Sequence, residues 1–135
     1  MKFNEHGNYS VEFDVDIILF KAQGIWNIES SIHCISMINT CIEKIEADKY
    51  SIVVDTRAVT GITPDSADLW FKTITVWQTI GHKALARIDN PRSINYKIFL
   101  ADFDEFFRRN IDFMYADSFD DAIHWLHSIG YKGFG

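Results

Sequence analysis

Only two prolines interrupt this chain of 135 residues, and both, Pro64 and Pro91, fall at expected element boundaries, so no proline-rich linker divides it. Cysteine is equally scarce. Cys34 and Cys41 lie seven apart on one expected helix, about 10 Å between Cα atoms at 1.5 Å per residue, too far for a disulfide. They read as two buried thiols, and neither opens a helix, where a reactive thiolate would be favoured. No apolar run exceeds four residues, as in Ile17-Ile18-Leu19-Phe20, which is far short of a transmembrane segment. Met1 to Gly7 has no apolar core of the signal-peptide kind, so a cytoplasmic location is expected. Basic residues are outnumbered, 13 against 19 acidic, and the only adjacent basic pair is Arg108-Arg109. An acidic chain without a basic stripe does not grip phosphate backbones, so no nucleic acid is expected as partner. Also missing are Gly-x-Gly-x-x-Gly, Walker A, Gly-x-Ser-x-Gly, His-Glu-x-x-His and Cys-x-x-Cys. The expectation is no enzyme, no catalytic residue and no cofactor.

What the chain does have is apolar and aromatic weight: 47% hydrophobic residues, with 4 Trp, 5 Tyr and 11 Phe. That supports a real core without disulfides or metal, and the length suits one domain over residues 1–135. Tyr9, Val11 and Phe13 alternate with Ser10 and Glu12, the pattern of a half-buried strand. Asp14-Val15-Asp16 turns the chain into a second, more apolar strand from Ile17 to Ala22, giving an antiparallel hairpin that Gly24 ends. Asn27 is a good N-cap for a long helix whose stripe is Ile28, Ile32, Ile35, Ile38, Ile42 and Ile45.

Residues 51–66 are the most informative stretch. Ser51 to Asp55 reads as a buried strand, with Asp55-Thr56-Arg57 as its carboxyl end, and a short loop then leads to the helix. Thr63 is the expected cap and Pro64 the first residue of a helix reaching about Ile80, with Gly81 as its stop. Open α/β sheets place functional groups at such strand-to-helix junctions. Lys83 to Asp89 reads as a strand, 94–109 as a helix, Ile111 to Tyr115 as the last strand. A final helix, capped by Asp117 or Ser118, turns Ala122, Trp125, Leu126 and Ile129 inward. The order β-β-α-β-α-β-α-β-α predicts an α/β fold, a mixed five-stranded sheet with an N-terminal antiparallel hairpin, then mostly parallel strands and about four helices.

Three segments in this order resemble the SpoIIAA-like, or STAS, domain and its STAS/SEC14-like relatives. They are His6-Gly7-Asn8-Tyr9 with Gly24-Ile25-Trp26-Asn27, then Val53-Val54-Asp55-Thr56-Arg57 with Gly61-Ile62-Thr63-Pro64, and finally Phe113-Met114-Tyr115 with Asp120-Asp121-Ala122-Ile123-His124-Trp125-Leu126. The resemblance implies a SpoIIAA-like fold and a non-enzymatic regulatory role with a protein partner. In antagonists of anti-sigma factors, a serine at the amino end of the helix after the third strand is phosphorylated, within Asp-x-Ser-Gly-Val-x-x-x-Asp-Ser-Ser-Gly. Asp55 and Val59 match that pattern, Arg57-Ala58 replaces the first Ser-Gly, and Pro64 stands where the accepting serine would be. Asp55, Thr56, Arg57, Thr60, Thr63 and Ser66 are the candidates for phosphate acceptance or partner contact, with Thr63 and Ser66 the hydroxyls nearest a helix amino end.

The second helix carries more apolar area than a surface helix needs. Trp70, Phe71 and Trp77 on it, with Phe99 and Phe103 further on, read first as core, second as a self-association surface giving a homodimer, and third as the wall of a site for a small apolar ligand. His124 and His127 share a face with Asp120 and Asp121 but read as a solvated face, so no metal is expected.

Overall fold

A computed structural model of the chain describes residues 7–89, 92, 94 and 100–135. Among the described residues, nine elements follow the expected order: β1 (Gly7–Asp14), β2 (Ile17–Trp26), α1 (Ile28–Lys44), β3 (Tyr50–Ile62), α2 (Pro64–Thr79), β4 (His82–Ile88), α3 (Ala101–Asn110), β5 (Asp112–Ala116) and α4 (Phe119–Ser128). The strands lie in the sheet in sequence order. β1 pairs antiparallel with β2, and β2 through β5 pair in parallel. The expected fold class is the observed one.

Two apolar layers sandwich the sheet. One face, with Ile18, Phe20, Ile52, Val54 and Leu85, packs under α1, α2 and α3. The other, with Ile17, Val53, Ala84, Ala86 and Ile88, packs under α4. Alternation along each strand sends neighbours to opposite layers, which is why the central strands read as continuous apolar runs.

Local chemistry fixes the element ends. The Asn27 carboxamide oxygen accepts from the Ser30 N–H at 3.0 Å, and the Ser118 hydroxyl accepts from the Asp121 N–H at 3.1 Å, each satisfying one orphan donor of its helix. Gly81 takes φ +115° after α2, and a Cβ there would lie 2.7 Å from the Asp48 carbonyl oxygen. Gly24 does not end β2. It sits inside the strand at φ +82°, at a register irregularity through which pairing with β3 continues to Trp26 and Ile62.

On α1 the buried positions are Ser30, Ser31, Cys34 and Ile38, while Ile32 of the expected stripe is 52% exposed. The helix faces both the sheet and α2, so its contact face is rotated towards small residues. The carboxyl tail, unassigned by pattern, is pinned to the β1–β2 turn. The Asp16 carboxylate accepts from the Lys132 and Gly133 N–H groups, each at 2.9 Å, and the Asp14 carboxylate accepts from that of Phe134 at 2.6 Å. Of the expected 94–109 helix, Ala101–Asn110 is helical, and residues 95–99 lie outside the described residues.

Candidate functional site

The strand-to-helix junction differs from its expectation in one decisive way. The stretch after Arg57 is not a loop but a continuation of β3 to Ile62, held by β2 through the pairs Gln23–Ala58, Gly24–Val59, Ile25–Gly61 and Trp26–Ile62. Bulges absorb the glycines and let β2 and β3 run past β4, whose pairing with β3 stops at Asp55–Ile88. The two strands therefore project beyond the sheet and carry the start of α2 with them.

On this projection Arg57, Ala58, Thr60, Pro64 and Asp65 are exposed. Asp55 and Thr56 are buried. Arg57 grips Asp55 with its fork, Nε to Oδ1 at 3.0 Å and Nη2 to Oδ2 at 2.8 Å, and its own backbone N–H also donates to Oδ1. Burial of Asp55 works to raise its pKa, but the Arg57 fork and N–H outweigh that and hold the carboxyl below the usual range. Asp55 thus fixes the guanidinium against the strand and is not available as a base.

The hydroxyls at the helix start are also committed. Thr63 occupies the cap position, yet its side chain makes no capping bond. Its hydroxyl lies 2.5 Å from Asp65 Oδ1 and 3.0 Å from the Ser66 hydroxyl, while the same Asp65 oxygen accepts from the Ser66 N–H at 2.9 Å. A carboxylate therefore already holds the positive end of α2. Ser66 is 0% exposed, which removes it as a phosphate acceptor in the folded chain, and phosphate on Thr63 would meet the Asp65 carboxylate. Of the six junction residues marked in the sequence, Arg57 and Thr60 are exposed and Thr63 partly exposed.

Beneath the projection lies a buried polar network that sequence reasoning missed. Arg87 Nε donates to Asp104 Oδ1 at 2.5 Å, and Tyr115 donates to Asp104 Oδ2 at 2.9 Å. Arg87 Nη1 reaches the Thr56 hydroxyl at 3.3 Å, and that hydroxyl donates to Asp89 Oδ2 at 2.9 Å. Burial pushes the Asp104 carboxyl upward against the pull of Arg87 and Tyr115. The signal was present as opposite charges at inward positions of adjacent elements: Arg87 alternates with Leu85 on β4, and Asp104 falls on the same helical face as Phe103 and Phe107.

Trp77 of α2 and Phe103 of α3 are core, 3% and 8% exposed, and Trp70 and Phe71 are partly buried against them. Each indole N–H is satisfied internally, Trp70 by the Ser31 hydroxyl at 2.9 Å and Trp77 by Asn39 Oδ1 at 2.8 Å. Phe71 stacks on Phe103 at 4.2 Å between ring centroids. Phe99 lies outside the described residues. The outward face of α2 carries Val76, and Ile80 just past its end is exposed as well.

Trp70, Trp77 and Phe103 do come together in another way. With Phe20, Ile38, Ile52 and Ile74 they line a cavity of about 100 Å³ between the sheet and the three helices over it. Three polar side chains reach its wall, Thr56, His82 and Arg87. His82 is fully buried. Its Nε2 lies 3.0 Å from the Ala84 carbonyl, which can only accept, so the proton sits on Nε2. Burial drives its pKa down to about 4, so the ring is neutral. Among the described residues, no group of three or more His, Cys, Asp and Glu side chains is placed to hold a metal. His127 instead donates to the Gly133 carbonyl at 2.8 Å.

No protein-family model matches the chain, and no curated protein sequence matches it. Solved structures do. An uncharacterised protein of the DUF3478 family with a SpoIIAA-like fold, from Shewanella loihica PV-4, superposes with a TM-score of 0.66 at 19% identity, covering 93% of this chain and 98% of that one. The chain has the SpoIIAA-like fold. An anti-sigma factor antagonist from Mycobacterium paratuberculosis matches at TM-score 0.60 and 14% identity, covering 94% and 99%. The Bacillus cell fate determinant SpoIIAA in its phosphorylated form matches at 0.60 and 14%, covering 88% and 99%. The fold read from element order is thus the fold observed. No helix among the described residues is long and apolar enough to cross a membrane.

Proposed function

We propose that this SpoIIAA-like chain is a non-enzymatic binding module that contacts a protein partner through the projecting end of β3 and the first turn of α2. The observation that carries this reading is the state of the polar groups there. Asp55, Thr56, Thr63 and Ser66 are each bonded within the chain, while Arg57, Ala58, Thr60, Pro64 and Asp65 form an exposed, braced rim. A junction whose carboxylates, Asp55 and Asp65, and whose hydroxyls, Thr56, Thr63 and Ser66, are already engaged favours recognition over chemistry. The likeness to anti-sigma factor antagonists supports the same class of role. Unlike a phosphoserine switch, this rim presents a fixed cation, Arg57, and a helix start already neutralised by Asp65. The partner face that suits it is acidic or hydrogen-bonding opposite Arg57. Reversing that charge with Arg57→Glu is expected to abolish co-purification of a stoichiometric partner from source cells, while Asp120→Lys on α4 leaves it intact. Equal recovery with both variants would contradict the reading.

A second reading rests on the cavity. Its wall is almost entirely carbon, and it lies where a small apolar molecule would be shielded by three helices. We propose that the module also holds such a ligand.

A further inference from the structure

The three polar side chains that reach the cavity are not equivalent. The Thr56 hydroxyl donates to Asp89 and accepts from Arg87. Arg87 gives its Nε to Asp104 and its Nη1 to Thr56. Arg87 lies at the carboxyl end of β4 and Thr56 midway along β3, and both are absorbed by the network described above. His82 lies at the other end of β4, five residues from Arg87 and so about 16 Å away along the strand. Its Nε2–H is committed to Ala84, and its Nδ1 has no hydrogen-bond partner among the described residues. The ring is locked by more than that one bond, since it stacks on Tyr50 at 5.6 Å and meets the edge of Phe107 at 6.1 Å. A buried acceptor without a donor is costly and rare in folded chains.

We propose that the cavity is a site for a small apolar molecule bearing one hydroxyl or equivalent donor, with His82 Nδ1 as its acceptor. This rests on the second reading above, that the cavity takes an apolar ligand, and adds the polar feature that selects among such ligands. Size narrows the class further. At about 100 Å³ the space is smaller than the cavity of roughly 150 Å³ that accommodates benzene, so a short branched alcohol is the fitting probe. An anion does not suit the site, because Arg87, the cation among its wall residues, is already paired with Asp104. A cation does not suit it either, because no unpaired carboxylate is among the wall residues.

The test uses the whole chain, labelled with ¹⁵N in histidine and ¹³C in isoleucine methyls, titrated with 2-methylpropan-1-ol and with its donor-less isostere 1-chloro-2-methylpropane. The alcohol is expected to shift the methyls of Ile38, Ile52 and Ile74 and to move the His82 Nδ1 resonance, with affinity about fivefold tighter than the chloride, the worth of one neutral hydrogen bond. The chloride should shift the methyls only. Equal affinities with an unmoved Nδ1 would overturn the role of His82 and leave the apolar-ligand reading standing. No methyl response to either probe would overturn both. Leu85 is a wall residue three positions from His82 on β4, so Leu85→Phe should fill the space beside the ring and remove the response while the chain stays folded. A response that survives this change would place the probe elsewhere and overturn the proposal.

Discussion

Single residues in this molecule are constrained more by backbone geometry than by chemistry. Val15, at the β1–β2 turn, has φ +53° and is 55% exposed. A β-branched residue is ill suited to that left-handed region, and it gains nothing from burial in return. Val15→Gly should therefore raise stability by about 1 kcal/mol, measured by urea unfolding; a loss would mean that the Val15 side chain contributes packing of its own. Gly133 shows the opposite case. A Cβ there would come within 2.0 Å of the Asp14 carbonyl oxygen, so the tail can lie against the turn only with glycine at this position. The sequence motif Asp-Val-Asp pointed to a turn, but not to its two carboxylates as the anchors of a tail 116 residues away. Side-chain patterning reports burial within an element and carries no record of which distant N–H groups a carboxylate will meet.

Among the elements, strand and helix identity were legible and strand extent was not. Ile52-Val53-Val54 announces a buried strand because every position is apolar, and Pro64 announces a helix start because its missing N–H is harmless there. Between them, Asp55-Thr56-Arg57 look like the strand's end and Thr60-Gly61 like a loop, because polar residues and glycine interrupt the apolar run. The structure keeps them in β3 by pairing them with an equally irregular partner, the Gly24 region of β2. Two irregular segments stabilise each other, which no reading of one segment alone can anticipate. The same limit hid the link between β4, β5 and α3. Arg87 and Asp104 are 4% and 0% exposed at the side chain, and each makes sense only beside the other. Removing one partner leaves the other charge buried. Asp104→Ala should cost about 3–5 kcal/mol, read by chemical denaturation, whereas Glu105→Ala, which loses only exposed pairs to Arg108 and Arg109, should change stability by less than about 1 kcal/mol. Comparable losses from the two would show that Arg87 finds another partner. The expected stripe on α1 failed at Ile32 for a related reason: a helix wedged between a sheet and another helix buries a wider and rotated face, and small residues such as Ser31 fit the close approach.

For the molecule as a whole, one buried group gives stability a distinct pH dependence. His82 in the unfolded chain takes its proton near pH 6.5, and in the folded chain only near pH 4. Between those values the unfolded state binds more protons, so stability falls as pH drops, by about 3 kcal/mol across the window. Denaturation midpoints at pH 7, 5.5 and 4.5 should show this decline, and His82→Phe should flatten it. An unchanged profile in the variant would assign the decline to other groups. Asp55 acts lower on the scale. Its folded pKa lies below the ordinary value, so its contribution is present above about pH 4 and is lost only as pH falls further.

The molecule thus separates two surfaces. One is an apolar interior beneath three helices, the other an exposed rim where β2 and β3 outrun the sheet. Rim contact with a protein partner is the central claim, and site-specific photo-crosslinking in living cells tests it most directly. A photoreactive amino acid at Thr60 should yield one discrete protein adduct, while the same group at Asp120, exposed on α4, yields none. Identical adduct patterns from the two positions, or no adduct from Thr60 under any growth condition, would contradict it.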